Sequence, residues 1–301
     1  MGGAIFVRQG ASVTIIDGDV TTGRVVGGNG GNPGQGIGSS IFLAGSATWE
    51  VSSGEVVNLE DSLGGGVDPQ ITGGFTKTGP GLLFLNGTHS HTGGTTANNG
   101  TLVVNGTLSA SDATTITGNA TLGGNGTIVG PVNVTGSGQI YPATGQIGTL
   151  RTGPLTFASG TTLRIDVLGA TSHDKLESTG AVDLGGATLA MGLGASLPPG
   201  SAPVTILEKQ SAGPITGTFA GLSEGSIFSA GGSIFRISYI GGDGNDVTLA
   251  AAFGNLTRSQ ADAAFDLFAA TGAAPGSGTF SGPGVSGGTF TPGGAVGVNT
   301  I

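Results

Sequence analysis

From position 73 to 106 the chain reads GGFTKTGPGLLFLNGTHSHTGGTTANNGTLVVNG, a series of β-forming runs only four or five residues long, each closed by NG, GG or GT. Strands this short cannot bury a core singly or in pairs, so they must stack on one another. Glycine occupies 64 of 301 positions, about one in five where roughly 7% is usual, which excludes an ordinary helical globule. There is no Gly-X-Y period and proline stops at 13, which excludes collagen, while abundant Val, Ile, Leu and Thr supply enough apolar surface to fold.

Two patterns suggest how the strands stack. The triplet Gly-Thr-Leu or a near relative recurs at Gly100, Gly106, Gly126 and Gly148, and internal similarity of this kind signals a solenoid. Side chains also alternate with the two-residue period of a strand: Ile5 with Val7, Val13 with Ile15, Leu163 with Ile165 and Val167, and Ala187 with Leu189, Met191 and Leu193. Clean hairpin pairs are missing and near-identical units recur, which favours coiling over a sandwich or barrel. The expected fold is therefore all-β, a right-handed parallel β-helix with a short C-terminal helix and an irregular tail. About ten coils of 20 to 25 residues would make a rod on the order of 50 Å long.

Along the chain this divides into N-terminal coils over 1–74 with a glycine-rich loop at 27–40, a repeat-bearing β-helix over 75–250, a helix over 251–272 and a Gly/Pro/Thr-rich tail over 273–301. The helix is expected because Thr257 can cap a segment in which Ala261, Ala264, Phe265, Phe268 and Ala269 follow the i, i+3, i+4 spacing, with Gly272 as its stop.

Nine Lys and Arg against eighteen Asp and Glu give a net charge of −9, and the scattered basic residues leave no footprint for nucleic acid. With no cysteine, disulfides, thiolate metal sites and cysteine catalysis are excluded. The start at Met1-Gly2-Gly3 has no basic region followed by an apolar run, so no signal peptide is expected and the start reads as internal. No apolar stretch approaches the roughly 20 residues of a membrane helix.

Lys77-Thr78-Gly79-Pro80-Gly81, Leu83 and Leu85 before Asn86-Gly87, Thr92-Gly93-Gly94-Thr95-Thr96 and Gly100-Thr101-Leu102 together resemble the autotransporter-associated β-strand repeat of Gram-negative passenger regions. One departure is His91, where that family usually carries tyrosine. The segments 173–193, 216–228 and 235–250 are similar to those that close such passengers, and Asn255-Leu256-Thr257 with Gln260 resembles the helical approach to the translocating barrel. The resemblance implies a surface-exposed or secreted passenger, tied to the outer membrane through a barrel that does not follow within the 301 residues.

The motifs with chemical potential are each better read as structure. Gly221-Leu222-Ser223-Glu224-Gly225 and Gly284-Val285-Ser286-Gly287-Gly288 fit G-x-S-x-G but lack the downstream histidine of a hydrolase. Gly241-Gly242-Asp243-Gly244-Asn245-Asp246 is half of a calcium nonapeptide pair and reads as a turn. His89-Ser90-His91 has metal-ligand spacing without a nearby third ligand and reads as a surface pair. Asp17-Gly18-Asp19 carries two carboxylates, the minimum for glycoside chemistry, yet its central glycine suggests a turn. Thr76-Lys77-Thr78 lacks the glycine of a phosphate loop. Seven Asn-x-Ser/Thr sequons, among them Asn86, Asn105, Asn119 and Asn125, follow for the most part from NGT turns, and Trp49, Tyr141 and Tyr239 are too separated for a sugar platform.

No catalytic, cofactor-binding or metal residue is therefore assigned. The expected function is a non-enzymatic passenger acting as stalk or adhesin. Its expected partners are a host surface glycan or protein, or a second copy. The alternative is a polysaccharide-active β-helix lyase or hydrolase using Asp17 and Asp19.

Overall fold

The computed structural model describes residues 5–20, 41–65, 72–192, 197 and 201–252, together with the strand dipeptides 257–258, 265–266, 285–286, 289–290 and 299–300. The chain winds as a parallel β-helix with three faces. The first is an eight-stranded parallel sheet beginning with Ser12–Ile16, Ser46–Glu50 and Phe75–Thr78 and ending at Val182–Asp183. The second is seven-stranded, from Val56–Leu59 through Leu82–Leu85 and Thr101–Val104 to Thr188–Met191. The third comes in two pieces: Ile5–Val7, Ile41–Leu43 and Leu63–Gly65, then a longer run starting at Thr88–His89.

Strand pairing keeps like over like. On the second face Val57, Leu83, Leu102, Leu122, Ile140 and Leu163 lie in register, one per coil, and all are buried. On the first face Trp49, Lys77, Ala97, Ile116, Val134 and Phe157 form a second inward column. Each coil covers the apolar side chains of the one before it, so burial grows with every coil added. Leu163, Ile165 and Val167 are all buried, as their alternation requires. The last second-face strand is the edge of its sheet among the described residues, and Leu189 and Met191 are only partly buried there; Leu193 lies outside the described residues.

The repeated triplets do not form one column. Thr101 belongs to the second face and is in register with Thr121, whereas Thr107 and Thr127 pair on the third face. Thr127 pairs in turn with Arg151, two positions beyond the Thr149 that the triplet would suggest. Turn and strand chemistry recur at two corners of each coil, which the sequence reads as one repeat.

Coil length is uneven. On the first face the register passes from Phe75 to Thr95, Thr114, Val132, Leu155 and Val182. The longest of these steps holds the hairpin Val167–Gly169 and Ser172–His173. Eight stacked first-face strands, at ~4.8 Å each, make a stack of about 34 Å rather than 50 Å. The shortfall also reflects a change of topology: Val204–Lys209 pairs antiparallel with Asp246–Ala251, which pairs antiparallel with Ser233–Gly241 and through it with Ile227–Ala230. The expected parallel run to residue 250 thus gives way to an antiparallel meander that closes the third face.

The expected C-terminal helix is not seen. Within 251–272 the described residues are Ala251, which ends the Asp246–Ala251 strand, Ala252, and Thr257–Arg258 and Phe265–Asp266, both short strands paired antiparallel with Asn299–Thr300 and Thr289–Phe290. Its other residues, the loop at 27–40 and most of the tail lie outside the described residues. No helix among the described residues is long and apolar enough to cross a membrane.

Candidate functional site

Hydrogen bonding to backbone of a neighbouring coil absorbs most of the polar side chains that sequence reasoning singled out. Asp17, at φ 51°, accepts from the amide of Ser52 at 2.7 Å, and Asp19 accepts from the amide of Asn58 at 2.7 Å. The two carboxylates therefore bind separate amides of the next coil rather than flanking one bond as a glycoside-cleaving pair does.

The pattern at 221–225 is a turn leading into strand rather than helix. Ser223 Oγ lies 3.0 Å from Ser226 Oγ, and Glu224 accepts from the amide of Tyr239 at 2.6 Å. Of the second such pattern only Val285–Ser286 is described, as strand. The 241–246 segment joins two antiparallel strands, with Gly242 and Gly244 at positive φ. There Asp246 accepts from the amide of Lys209 at 2.9 Å, and Asn245 donates to Ser211 O.

The aromatic residues are taken up in the same way. Trp49 is fully buried and donates to Gly18 O. Tyr239 accepts from the amide of Phe219 and donates to Leu222 O. Among the described residues no group of three or more His, Cys, Asp and Glu could hold a metal.

The histidine pair is placed differently from expectation. His89 and His91 are buried, 0% and 3% exposed, because His89 heads the inward column of the third face, in register with Leu108 and then Ile128. His91 packs against the Phe75 ring at 5.8 Å. Burial, which penalises the charged form, holds His89 down at about 3 and His91 at about 4.

Sequence reasoning also missed two buried lysines. Lys77 is 0% exposed, in register between Trp49 and Ala97, and its ammonium donates to Thr78 O (2.9 Å), Gly79 O (2.5 Å) and Asn99 O (3.1 Å). Burial lowers its pKa to about 8. Lys209, 2% exposed, donates to Ser211 O, Ala212 O and Gly213 O. Both lysines tie the carbonyls of a turn that ends in Gly-Pro. The signal for Lys77 was present: with Phe75 inward, the strand period places residue 77 on the same side.

Two further groups of polar side chains, which include the buried Asp174 and Glu177, gather where the coils are longest. Tyr141 donates to Asp166 Oδ2 at 2.6 Å with the Arg164 guanidinium 4.4 Å from its ring centroid. Burial first, and the Asp166 hydrogen bond second, push the Tyr141 phenol up to about 12. Beside them Asp174 accepts from the amides of Gly148 and Asp166, and burial raises its carboxyl to about 6. On the third face Arg151, Glu177 and Glu208 are in register, with Arg151 bound to Glu177 at 2.8 Å and Lys175 bridging Glu177 and Glu208. Arg151 and Glu177 of this network line a groove together with Thr127, Val129, Thr179 and Gln210.

Asparagines form a further column at the NGT corners. Asn86 donates to Glu60, Asn105 donates to Asn86, and Asn105 accepts from the amide of Asn125. Three of the sequon asparagines are thus joined coil to coil.

Residues 75–104 match the family model described as the passenger-associated-transport-repeat. A search of curated proteins returns no match. The matched stretch covers one coil and about half of the next, from the Phe75–Thr78 strand to the Thr101–Val104 strand, and includes the Lys77 turn and both histidines. The repeat, set within stacked parallel strands, fits the β-helix region of an autotransporter passenger.

Proposed function

We propose that the chain is a non-enzymatic section of a cell-surface or secreted passenger, serving as a rigid stalk that carries binding loops at its corners. The observation that carries this reading is the first face. Thr14, Thr48, Thr76, Thr96, Thr115, Asn133 and Thr156 follow one another in register along its outer side. Behind them runs an unbroken inward column that includes Trp49, Ile116 and Phe157. Such a wall is neutral and hydrogen-bonding, suited to solvation along a rod, and each coil lengthens the rod at fixed cross-section.

The hydrogen bonding of Asp17 and Asp19 to backbone amides favours the stalk over a polysaccharide-cleaving enzyme. An adhesive role would fall to the corner segments, where coil length varies, with a host glycan or protein as partner. The test is binding of the purified chain to extracellular-matrix proteins and a glycan array, beside a variant lacking 27–40. Binding that disappears in the deletion supports adhesion through that segment. Equal binding by both chains would refute it, and turnover of a polyuronate abolished by Asp17→Asn would refute the non-enzymatic reading.

A further inference from the structure

Among the described residues the third face is interrupted after Gly65. Its first three strands end at Leu63–Gly65, and the longer run begins with Thr88–His89. Across the gap the amide of Ser90 donates to Leu63 O at 2.8 Å. In the other direction the amide of Leu63 donates to the ring Nδ1 of His89 at 3.2 Å. A side-chain nitrogen here does the work that a backbone carbonyl does on neighbouring coils.

That substitution makes the contact depend on protonation. Accepting at Nδ1 requires the neutral ring with its proton on Nε2, and Nε2 is buried with no acceptor among the described residues. His91 sits two residues away with Nε2 bonded to Thr95 Oγ1 at 2.9 Å and Nδ1 buried without a partner among the described residues. A proton on His89 would remove the acceptor of the Leu63 amide, and protons on both would set two like charges in the core.

Charge compensation nearby is slight. Asp61 favours a protonated His89, but less than burial and His91 oppose it. The elements packed against the pair, Leu63–Gly65, Phe75–Thr78, Thr95–Ala97 and Thr107–Leu108, contain one other ionisable group, Lys77, which is cationic and directed to the carbonyls of Thr78, Gly79 and Asn99.

We propose that this histidine rung is an acid-sensitive seam, where the third face opens between Leu63 and His89 on acidification so that the coils of residues 5–65 loosen before those that follow. Uptake of two protons would favour the open form by roughly 10²- to 10³-fold between pH 7 and pH 5, given unfolded histidines near 6.5. The sign follows from depression: the histidines contribute fully above about pH 6.5 and lose that contribution as pH falls toward their folded values.

Hydrogen exchange read by mass spectrometry, corrected for intrinsic rates, tests this on the full chain at pH 7 and pH 5. Protection of amides in 56–65 and 88–91 should fall about a hundredfold or more, while that in 121–165 changes less than about tenfold. The double variant His89→Asn, His91→Gln keeps an acceptor and a hydrogen-bonding group but cannot titrate, and should lose most of the pH dependence. Uniform loss of protection along the stack would overturn the proposal, as would a double variant as acid-sensitive as the parent. Should the variant not fold, NMR titration of the parent decides: ring midpoints below about 5 support the seam, and midpoints near 6.5 refute it.

Discussion

Replacing Lys77 with methionine isolates the contribution of an ammonium buried in an apolar column. Methionine has nearly the length and volume of the lysine stem, so packing between Trp49 and Ala97 is kept while three donors are removed. The carbonyls of Thr78, Gly79 and Asn99 then lose their shared partner. A buried acceptor without a partner costs about 1–3 kcal/mol. Two features hold the sum at the low end: the Thr78 and Gly79 carbonyls sit in a turn whose Pro80 is exposed, so water reaches part of it, and removing the cation relieves the desolvation that depresses its pKa. A net loss of about 2 kcal/mol follows, which a slope near 2 kcal/mol/M converts to a urea midpoint lower by about 1 M. The assay reports locally, because the single tryptophan of the chain is Trp49, the adjacent rung, buried and 5.4 Å from the Phe75 ring. Its emission should shift to the red at lower urea in the variant, ahead of the loss of β-sheet circular dichroism. A variant as stable as the parent or more so would refute the reasoning, since it would mean that desolvating the ammonium costs more than its three hydrogen bonds return.

Three further outcomes are expected. Gly106→Ala should destabilise by about 3 kcal/mol, because a Cβ there meets the carbonyl of Gly87 on the preceding coil, whereas Gly169→Ala, with open space around it, should stay within ~0.5 kcal/mol; parallel thermal melts compare them. Asp174 has its folded pKa raised to about 6, above the unfolded carboxylate value, so the native state holds the proton more tightly and stability from this group falls as pH rises from about 4 to 6. Asp174→Asn should remove that slope from urea midpoints taken across the window. Asn105→Ala breaks the exposed asparagine column on both sides and should cost only about 1 kcal/mol or less by urea titration.

The architecture was legible because stacking imposes a local rule. Alternation in 162–167 puts Leu163 and Ile165 inside whatever the neighbouring coil holds, and NG or GG at the corners needs no knowledge of distant residues. The seven-strand inward column beginning at Val57 is that rule repeated. The expected helix rested on periodicity alone, and within it Thr257–Arg258 and Phe265–Asp266 find strand partners 23 to 43 residues away. Partners at that distance leave no trace in a window of helical spacing. The antiparallel close after Val204 was missed for a similar reason: strands such as 233–241 alternate alike in either pairing direction.

What the amino acids determine by themselves is therefore the coil: strand length, corner chemistry and the inward or outward sense of each side chain, all set within a few residues by backbone geometry. What the tertiary structure decides is register. Whether Thr127 lies over Thr149 or Arg151, whether a histidine meets solvent or Leu108, and whether Lys77 finds three carbonyls all depend on which residue of the next coil arrives alongside. Coil length sets that arrival, and it varies with each insertion, so the identity of a neighbour is a property of the wound chain and not of any segment of it.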